Sequence, residues 1–116
     1  MIEFYMQGGT YRFPRTRALD KHYKSLADFL TADATGFLVA TQYMTAVEAV
    51  QAGEQDLLEQ DGDMYIVTIT PEQVTLDLWV FAEHGGPQDL TVYPLSEFAT
   101  ILRPWRDFLL ENNIIF

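Results

Sequence analysis

Histidine and serine are the residues of this chain with which an enzyme would most readily perform proton transfer or nucleophilic attack, since it has no cysteine. His22 and His84 lie far apart in the sequence, and neither belongs to an HExxH pair that would place two histidines on one zinc ion. Ser25 and Ser96 stand at predicted helix starts, where capping is the usual role, and no GxSxG elbow surrounds either. These residues indicate neither a metal centre nor a hydrolase triad.

Other short motifs are turns by their pattern. Asp61-Gly62-Asp63 offers oxygen atoms of the kind that calcium binds, but regular oxygen ligands do not follow it, so a turn is predicted. The pairs Gly8-Gly9 and Gly85-Gly86 do not open helices in the pattern that cradles phosphate. Carboxylates are numerous enough that some pair will be close, yet proximity alone does not make a general acid and base. No cofactor is predicted.

Charge is unevenly distributed along the 116 residues, whose formal sum is −10. Up to residue 31, five basic residues stand against three acidic ones; from residue 32, Arg103 and Arg106 stand against fourteen acidic residues. Direct nucleic-acid binding is disfavoured, because it depends on clustered Lys and Arg that release counterions from phosphates. A basic protein partner would be attracted, although an acidic surface also serves solubility alone.

The length predicts a single domain, residues 1–116, and the 48% hydrophobic and 21% charged content is that of a folded globule. The absence of cysteine excludes disulfides and suits a reducing compartment. The first residues lack the basic start and apolar run of a secretory signal, and no stretch approaches the roughly 20 apolar residues of a membrane span. We therefore expect a cytoplasmic protein without membrane contact, with a monomer favoured.

The N-terminal half has the least regular pattern. Residues 2–6 (IEFYM) predict a short strand, and the segment around Pro14 predicts a loop or an edge strand, because proline cannot donate to a ladder. A short helix is predicted from Ser25 as its N-cap. A second helix is predicted over residues 45–53, with its first residue, a threonine, as N-cap and its glycine as the stop. Residues 37–44 fit either a helix or a strand.

From residue 54 the sequence predicts four short antiparallel strands, because the apolar period changes to that of strands. The first is expected within residues 54–60, Asp61-Gly62 signals the hairpin turn after it, and residues 70–73 (TPEQ) form the next turn. That second turn sets the register, so that alternate residues of two strands share one apolar core face. The members of this face are Tyr65, Val67, Ile69, Val74, Leu76, Leu78 and Val80.

The C-terminal segment SEFATILRPWRDFLLEN has apolar residues at spacings of three and four, which predicts an amphipathic helix that starts near Ser96. Glu97 in its first turn favours the positive end of the helix dipole. Pro104 removes one backbone hydrogen bond, so we expect a kink or a short break there. Trp105 lies on the apolar stripe and is predicted to be in the core.

The predicted fold class is α+β: a four-stranded antiparallel β-meander, an amphipathic C-terminal helix packed on one face, and shorter N-terminal helices. The opposite face mixes apolar and acidic residues. Either the N-terminal helices cover it, or it is an exposed protein-binding surface with aromatic anchors and an acidic rim. The candidate binding residues are Glu59, Asp61, Asp63, Met64, Asp77, Trp79, Phe81 and Glu83.

Two segments, residues 61–76 (DGDMYIVTITPEQVTL) and residues 91–109 (TVYPLSEFATILRPWRDFL), lie on either side of an acidic loop. In this part the chain resembles small bacterial immunity proteins of contact-dependent growth inhibition and related polymorphic toxin systems. The resemblance implies a cytoplasmic, non-enzymatic protein that binds the toxic domain of a cognate effector, commonly a nuclease, and blocks its active site or substrate path. The basic N-terminal segment and Pro104 depart from that pattern.

The leading hypothesis is therefore an immunity protein that binds and neutralises a basic, nuclease-type toxin domain through an acidic and aromatic surface. An effector chaperone or adaptor that recognises an apolar segment of its client is the alternative, since it would share the acidic charge and the absence of visible chemistry. A small enzyme is the third class, and it would need histidines or carboxylates to converge in a pocket.

Overall fold

The computed structural model describes residues 1–78 and 90–116 of the chain. Within these residues, a β-hairpin precedes two helices, and a four-stranded antiparallel meander precedes a third helix. The elements are β1 (Ile2–Gln7), β2 (Phe13–Ala18), α1 (Lys24–Ala32), α2 (Phe37–Gln51), β3 (Leu58–Asp61), β4 (Tyr65–Ile69), β5 (Gln73–Leu78), β6 (Leu90–Pro94) and α3 (Leu95–Glu111). The fold is α+β, as the sequence predicts.

The register of β4 against β5 is the one that the turn at residues 70–73 predicts. Ile69 lies opposite Val74, and Ile66 lies opposite Asp77. The amide at the start of the turn donates to the carbonyl at its end over 2.9 Å, which closes it. The predicted core face is buried at Tyr65, Val67, Ile69, Val74 and Leu76 and half-buried at Leu78, while Val80 lies outside the described residues.

The Phe29 ring of α1 joins the helices to the meander. It contacts the rings of Tyr43 in α2, Tyr65 in β4 and Phe98 in α3, with centroid separations of 5.0, 6.1 and 5.9 Å. All four side chains are buried. Since a buried aromatic side chain removes about 150 to 250 Å² from water, this cluster is a main source of stability.

Trp105 joins α3 to the hairpin and is fully buried, which confirms the predicted core role. Its indole N–H donates to the Ala34 carbonyl at 2.8 Å, and its ring meets Phe4 of β1 edge-on at 5.2 Å. The Thr16 hydroxyl of β2 donates to the Ala27 carbonyl of α1 at 2.8 Å. The helices therefore contact the hairpin on one side and the meander on the other.

Two predicted helix starts are wrong. Helix α1 begins at Lys24, so Ser25 lies inside it, and the Ser25 hydroxyl accepts a hydrogen bond from the Thr91 hydroxyl at 3.0 Å. Helix α2 begins at Phe37, two turns before the predicted N-cap Thr45, so the ambiguous residues 37–44 are helical. Neither helix start has a side-chain cap, and tertiary contacts fix both starts. The local capping residues of the sequence therefore predict the wrong positions.

The chain after α3 caps the start of α2. The amides of Phe37 and Leu38 donate to the carbonyls of Ile114 and Phe116 at 2.9 and 3.1 Å. Asn113, in the left-handed conformation with φ of 61°, ends α3 and turns the chain toward this position. Amides of a first helical turn otherwise lack acceptors, so the tail does the work of a capping side chain.

Helix α3 runs from Leu95 to Glu111 through Pro104 without a break. The predicted start near Ser96 is correct to within one residue. The apolar stripe keeps its phase across the proline, and buried Trp105 and Leu109 continue the face begun by Phe98. Packing of this stripe offsets the hydrogen bond that proline removes.

Removal of residues 114–116 should lower the free energy of unfolding by about 1 to 3 kcal/mol, because two amides of α2 lose their acceptors. Urea denaturation of the shortened chain measures this. The double variant Ile115→Ala and Phe116→Ala keeps both carbonyls and removes only exposed side chains, so it should stay within about 0.5 kcal/mol of the parent. Equal losses in the two proteins would show that the tail stabilises through its side chains.

Candidate functional site

The side of β3 to β6 that points away from the helices is called here the outer face. The register places its side chains in rows that cross all four strands, which are about 4.8 Å apart. One row is Asp61, Ile66, Asp77 and Leu90. The next row is Glu59, Thr68, Thr75 and Val92. Every charge in these two rows is negative, and three of the remaining members are aliphatic.

No helix of the described residues covers the outer face. The buried residues of β4 and β5 all lie on the opposite face, and that is where the helices pack. On the edge strand β6, Leu90 is 52% exposed and Val92 is 43% exposed. The expectation that the N-terminal helices cover this face is therefore not met in the described part of the chain.

Five of the predicted binding residues lie within the described residues. Glu59 and Asp61 are exposed on β3, Asp77 is half-buried on β5, and Asp63 and Met64 are exposed in the turn between β3 and β4. The structure thus brings them to one face and one end of the meander. Trp79, Phe81 and Glu83 lie outside the described residues.

Leu90 and Val92 are members of the outer face that the sequence analysis missed. Their partners across the ladder are Asp77 and Thr75. The alternation of β6, in which Tyr93 is buried and Val92 exposed, carries the signal. This alternation assigns Leu90 and Val92 to the outer face only once the position of β6 in the sheet and its register are known.

Asp33, the first residue after α1, holds the turn between β3 and β4. Its two carboxylate oxygens accept the amides of Met64 at 2.9 Å and Tyr65 at 2.8 Å. The Gly62 amide donates to the Tyr65 carbonyl at 2.8 Å and closes the turn over Asp63 and Met64. Asp33 is only 9% exposed, and burial raises the pKa of its carboxyl although the two backbone donors act in the opposite direction.

The predicted hairpin turn is present, but its central residues are Asp63 and Met64 and not Asp61 and Gly62. Gly62 has a different reason to be glycine. A Cβ atom at this position would overlap the Asp33 carboxylate, because it would lie 2.6 Å from the Cγ atom of Asp33. Position 62 therefore requires glycine, because the backbone comes closer to the Asp33 carboxylate than a side chain would allow.

His22, the histidine within the described residues, contacts Glu97 at the protein surface. His22 Nε2 lies 3.0 Å from Glu97 Oε1, and the His22 carbonyl accepts the Tyr93 hydroxyl at 2.7 Å. A hydrogen bond to Glu97 also raises the pKa of Tyr23. These contacts tie the turn before α1 to the start of α3. His84 lies outside the described residues.

The described residues do not form a metal-binding cluster. No group of three or more potential ligands converges among them. An open cavity of about 290 Å³ contains a single ionisable side chain, Glu72. Its lining residues are Val50, Gln51, Pro71, Glu72, Leu95 and Ser96.

Comparison with protein-family models, with curated proteins and with solved structures finds no match to the chain. The resemblance to immunity proteins accordingly stays a prediction. Of the helices in the described ranges, none combines the length and apolar character needed to cross a membrane.

Asp33→Asn should change the pH dependence of stability. Because the folded pKa is raised above the ordinary value of 3.8, the folded protein binds this proton more tightly than the unfolded chain does. This proton stabilises the folded protein fully below pH 3.8, the ordinary pKa. The stabilisation is lost as pH rises through the higher pKa of the folded state. Urea denaturation between about pH 3 and pH 7 should show the parent losing stability relative to the variant, whose amide does not titrate.

Amide hydrogen exchange provides a local readout of the same substitution. An Asn side chain has one acceptor oxygen for two amides, so Met64 or Tyr65 should exchange faster in Asp33→Asn. Asp28→Asn, which removes an exposed carboxylate from α1, is the matched control and should leave both amides unchanged. Parallel stability curves together with unchanged exchange would contradict the assigned role of Asp33.

Tyr43→Phe should stabilise the protein at high pH. Burial, with smaller contributions from Asp33, Asp63 and Asp61, raises the pKa of Tyr43 to about 12 from the ordinary 10.0. The neutral phenol is favoured in the fold, so its stabilisation is complete below pH 10.0 and is lost as pH approaches 12. The parent should lose up to about 3 kcal/mol relative to the variant between these limits, as measured by urea denaturation. A constant difference would contradict this.

Proposed function

We propose that this protein is a non-enzymatic, cytoplasmic immunity protein that binds and neutralises a basic, nuclease-type toxin domain through the outer face of its meander. One observation carries the proposal: the described helices leave the outer face open, and its two complete rows combine carboxylates with exposed aliphatic side chains and contain no base. Such a face suits a protein partner, because interfaces combine an apolar centre with a polar rim.

The charge of the face defines the class of partner. Glu59, Asp61 and Asp77 lie on it, and the chain from residue 32 onward has fourteen acidic residues against two arginines. A nuclease holds phosphates with Lys and Arg, so an acidic surface competes for the same cationic groups and accelerates association. Binding over those groups would block the path of the nucleic acid.

The aliphatic residues supply the desolvated centre that an interface needs. Ile66 lies between Asp61 and Asp77, and Leu90 flanks Asp77 on β6. Apolar contacts surrounded by a polar rim are the usual distribution of binding energy in protein interfaces. Trp79 and Phe81, which lie outside the described residues, are predicted to join this face by strand alternation.

Co-expression with the product of the adjacent upstream gene tests the proposal. Restored growth and a stable 1:1 complex with a folded toxic domain are the expected results. No protection and no complex would reject immunity. A complex formed only with an unfolded apolar segment would instead favour the effector chaperone or adaptor.

Asp61→Lys should weaken the complex at least tenfold, mainly through slower association at low salt, because it places a cation on the outer face. Surface plasmon resonance at two salt concentrations measures both rates. Glu48→Lys makes the same charge change on the exposed side of α2 and should reduce affinity much less. Equal effects of the two variants would mean that net charge, and not the outer face, controls binding.

A further inference from the structure

A second surface with the opposite charge lies on the β1–β2 hairpin. Its inner side packs on the core through Ile2 and Phe4, so alternate residues of both strands point away from the helices. This outward side is called here the hairpin face. Its members are Glu3, Tyr5, Gln7, Phe13, Arg15 and Arg17.

The hairpin face presents an arginine that is already positioned. Arg15 Nε donates to the Gln7 side chain at 3.2 Å, and the guanidinium lies 5.7 Å from the centre of the Phe13 ring. Arg15 has no carboxylate partner among the described residues, whereas Arg17 pairs with Glu3 at 2.7 Å. Phe13 is 53% exposed. Arginine and aromatic residues are the types that most often anchor protein interfaces.

We propose that the hairpin face binds the outer face of a second copy of this chain, head to tail. Helix α1 contacts both β2 and β5, so the helices lie between the two faces and one molecule cannot bring its own faces together. The hairpin face has aromatic rings beside Arg15, a cation that no carboxylate of the described residues pairs with. The outer face has carboxylates beside aliphatic side chains, which is the complementary composition.

The spacing of the charges matches as well. Arg15 and Arg17 are two residues apart on β2, and Glu59 and Asp61 are two residues apart on β3. Residues so placed on a strand are about 6.6 to 6.8 Å apart and point to the same side. Arg15 of one copy can therefore face one of these carboxylates of another copy in charge-assisted hydrogen bonds, while Arg17, which keeps its pair with Glu3, lies beside the second.

When two copies bind through different faces, the pair still has one free outer face and one free hairpin face. Further copies can therefore add to it, unless the assembly closes into a ring. The contact is a property of the chain alone and does not rest on the proposed toxin binding. The toxin would compete with it, because both use the outer face.

Sedimentation velocity on the isolated protein tests the proposal. The expected result is an average mass that rises above 13.3 kDa with concentration at about 50 mM NaCl and returns to the monomer at about 500 mM, where charges are screened. A monomer at every concentration and at both salt levels would overturn it.

Two paired variants locate the contact. Phe13→Ser with Arg15→Gln alters only the hairpin face, and Glu59→Gln with Asp61→Asn alters only the outer face. Each variant alone should be monomeric, and their equimolar mixture should form a dimer that does not extend, since one intact face of each kind remains. Lys24→Gln and Glu48→Gln on the helices are the matched controls and should self-associate like the parent.

A mixture that stays monomeric would overturn the proposal even if the parent self-associates. So would binding of a single-stranded oligonucleotide that Arg15→Gln abolishes in a protein that remains monomeric, because the hairpin face would then serve nucleic acid. All substituted side chains are exposed or half-exposed, and unfolding by urea verifies that each variant is folded.

Discussion

The carboxylate of Asp33 is the contact on which the arrangement of the acidic surface depends. It lies at the end of α1, is nearly inaccessible to water, and accepts two backbone amides from the turn between β3 and β4. A buried carboxylate is costly unless its oxygens are satisfied, so the turn has to be where those amides reach it. The position of β3, with Glu59 and Asp61, follows from that turn.

This constraint also explains the composition of neighbouring positions. Gly62 has to be glycine because the Asp33 carboxylate lies where a side chain would begin. Tyr43 keeps its proton to an unusually high pH because it is buried near the same carboxylate. Burial of the Asp33 carboxylate at the junction of helix and sheet costs electrostatic free energy. The same contact fixes the orientation of the exposed acidic residues on β3.

The layered arrangement separates two chemistries within one small chain. The helices bury the apolar sides of both sheets, through Phe29 toward the meander and through Trp105 toward the hairpin. The opposite sides differ in composition: that of the meander is acidic and aliphatic, and that of the hairpin combines two arginines and one glutamate with aromatic residues.

Sequence patterns alone predict the α+β class, the register of β4 against β5, the core face and the course of α3. Strand alternation, turn residues and helical spacing are local, so neighbours in the chain encode them. The start of α2, the centre of the first meander turn and the membership of Leu90 and Val92 in the outer face are set by tertiary contacts. Each depends on partners far away in the chain, such as Ile114 with Phe37 or Asp33 with Met64, and no local pattern specifies such pairs.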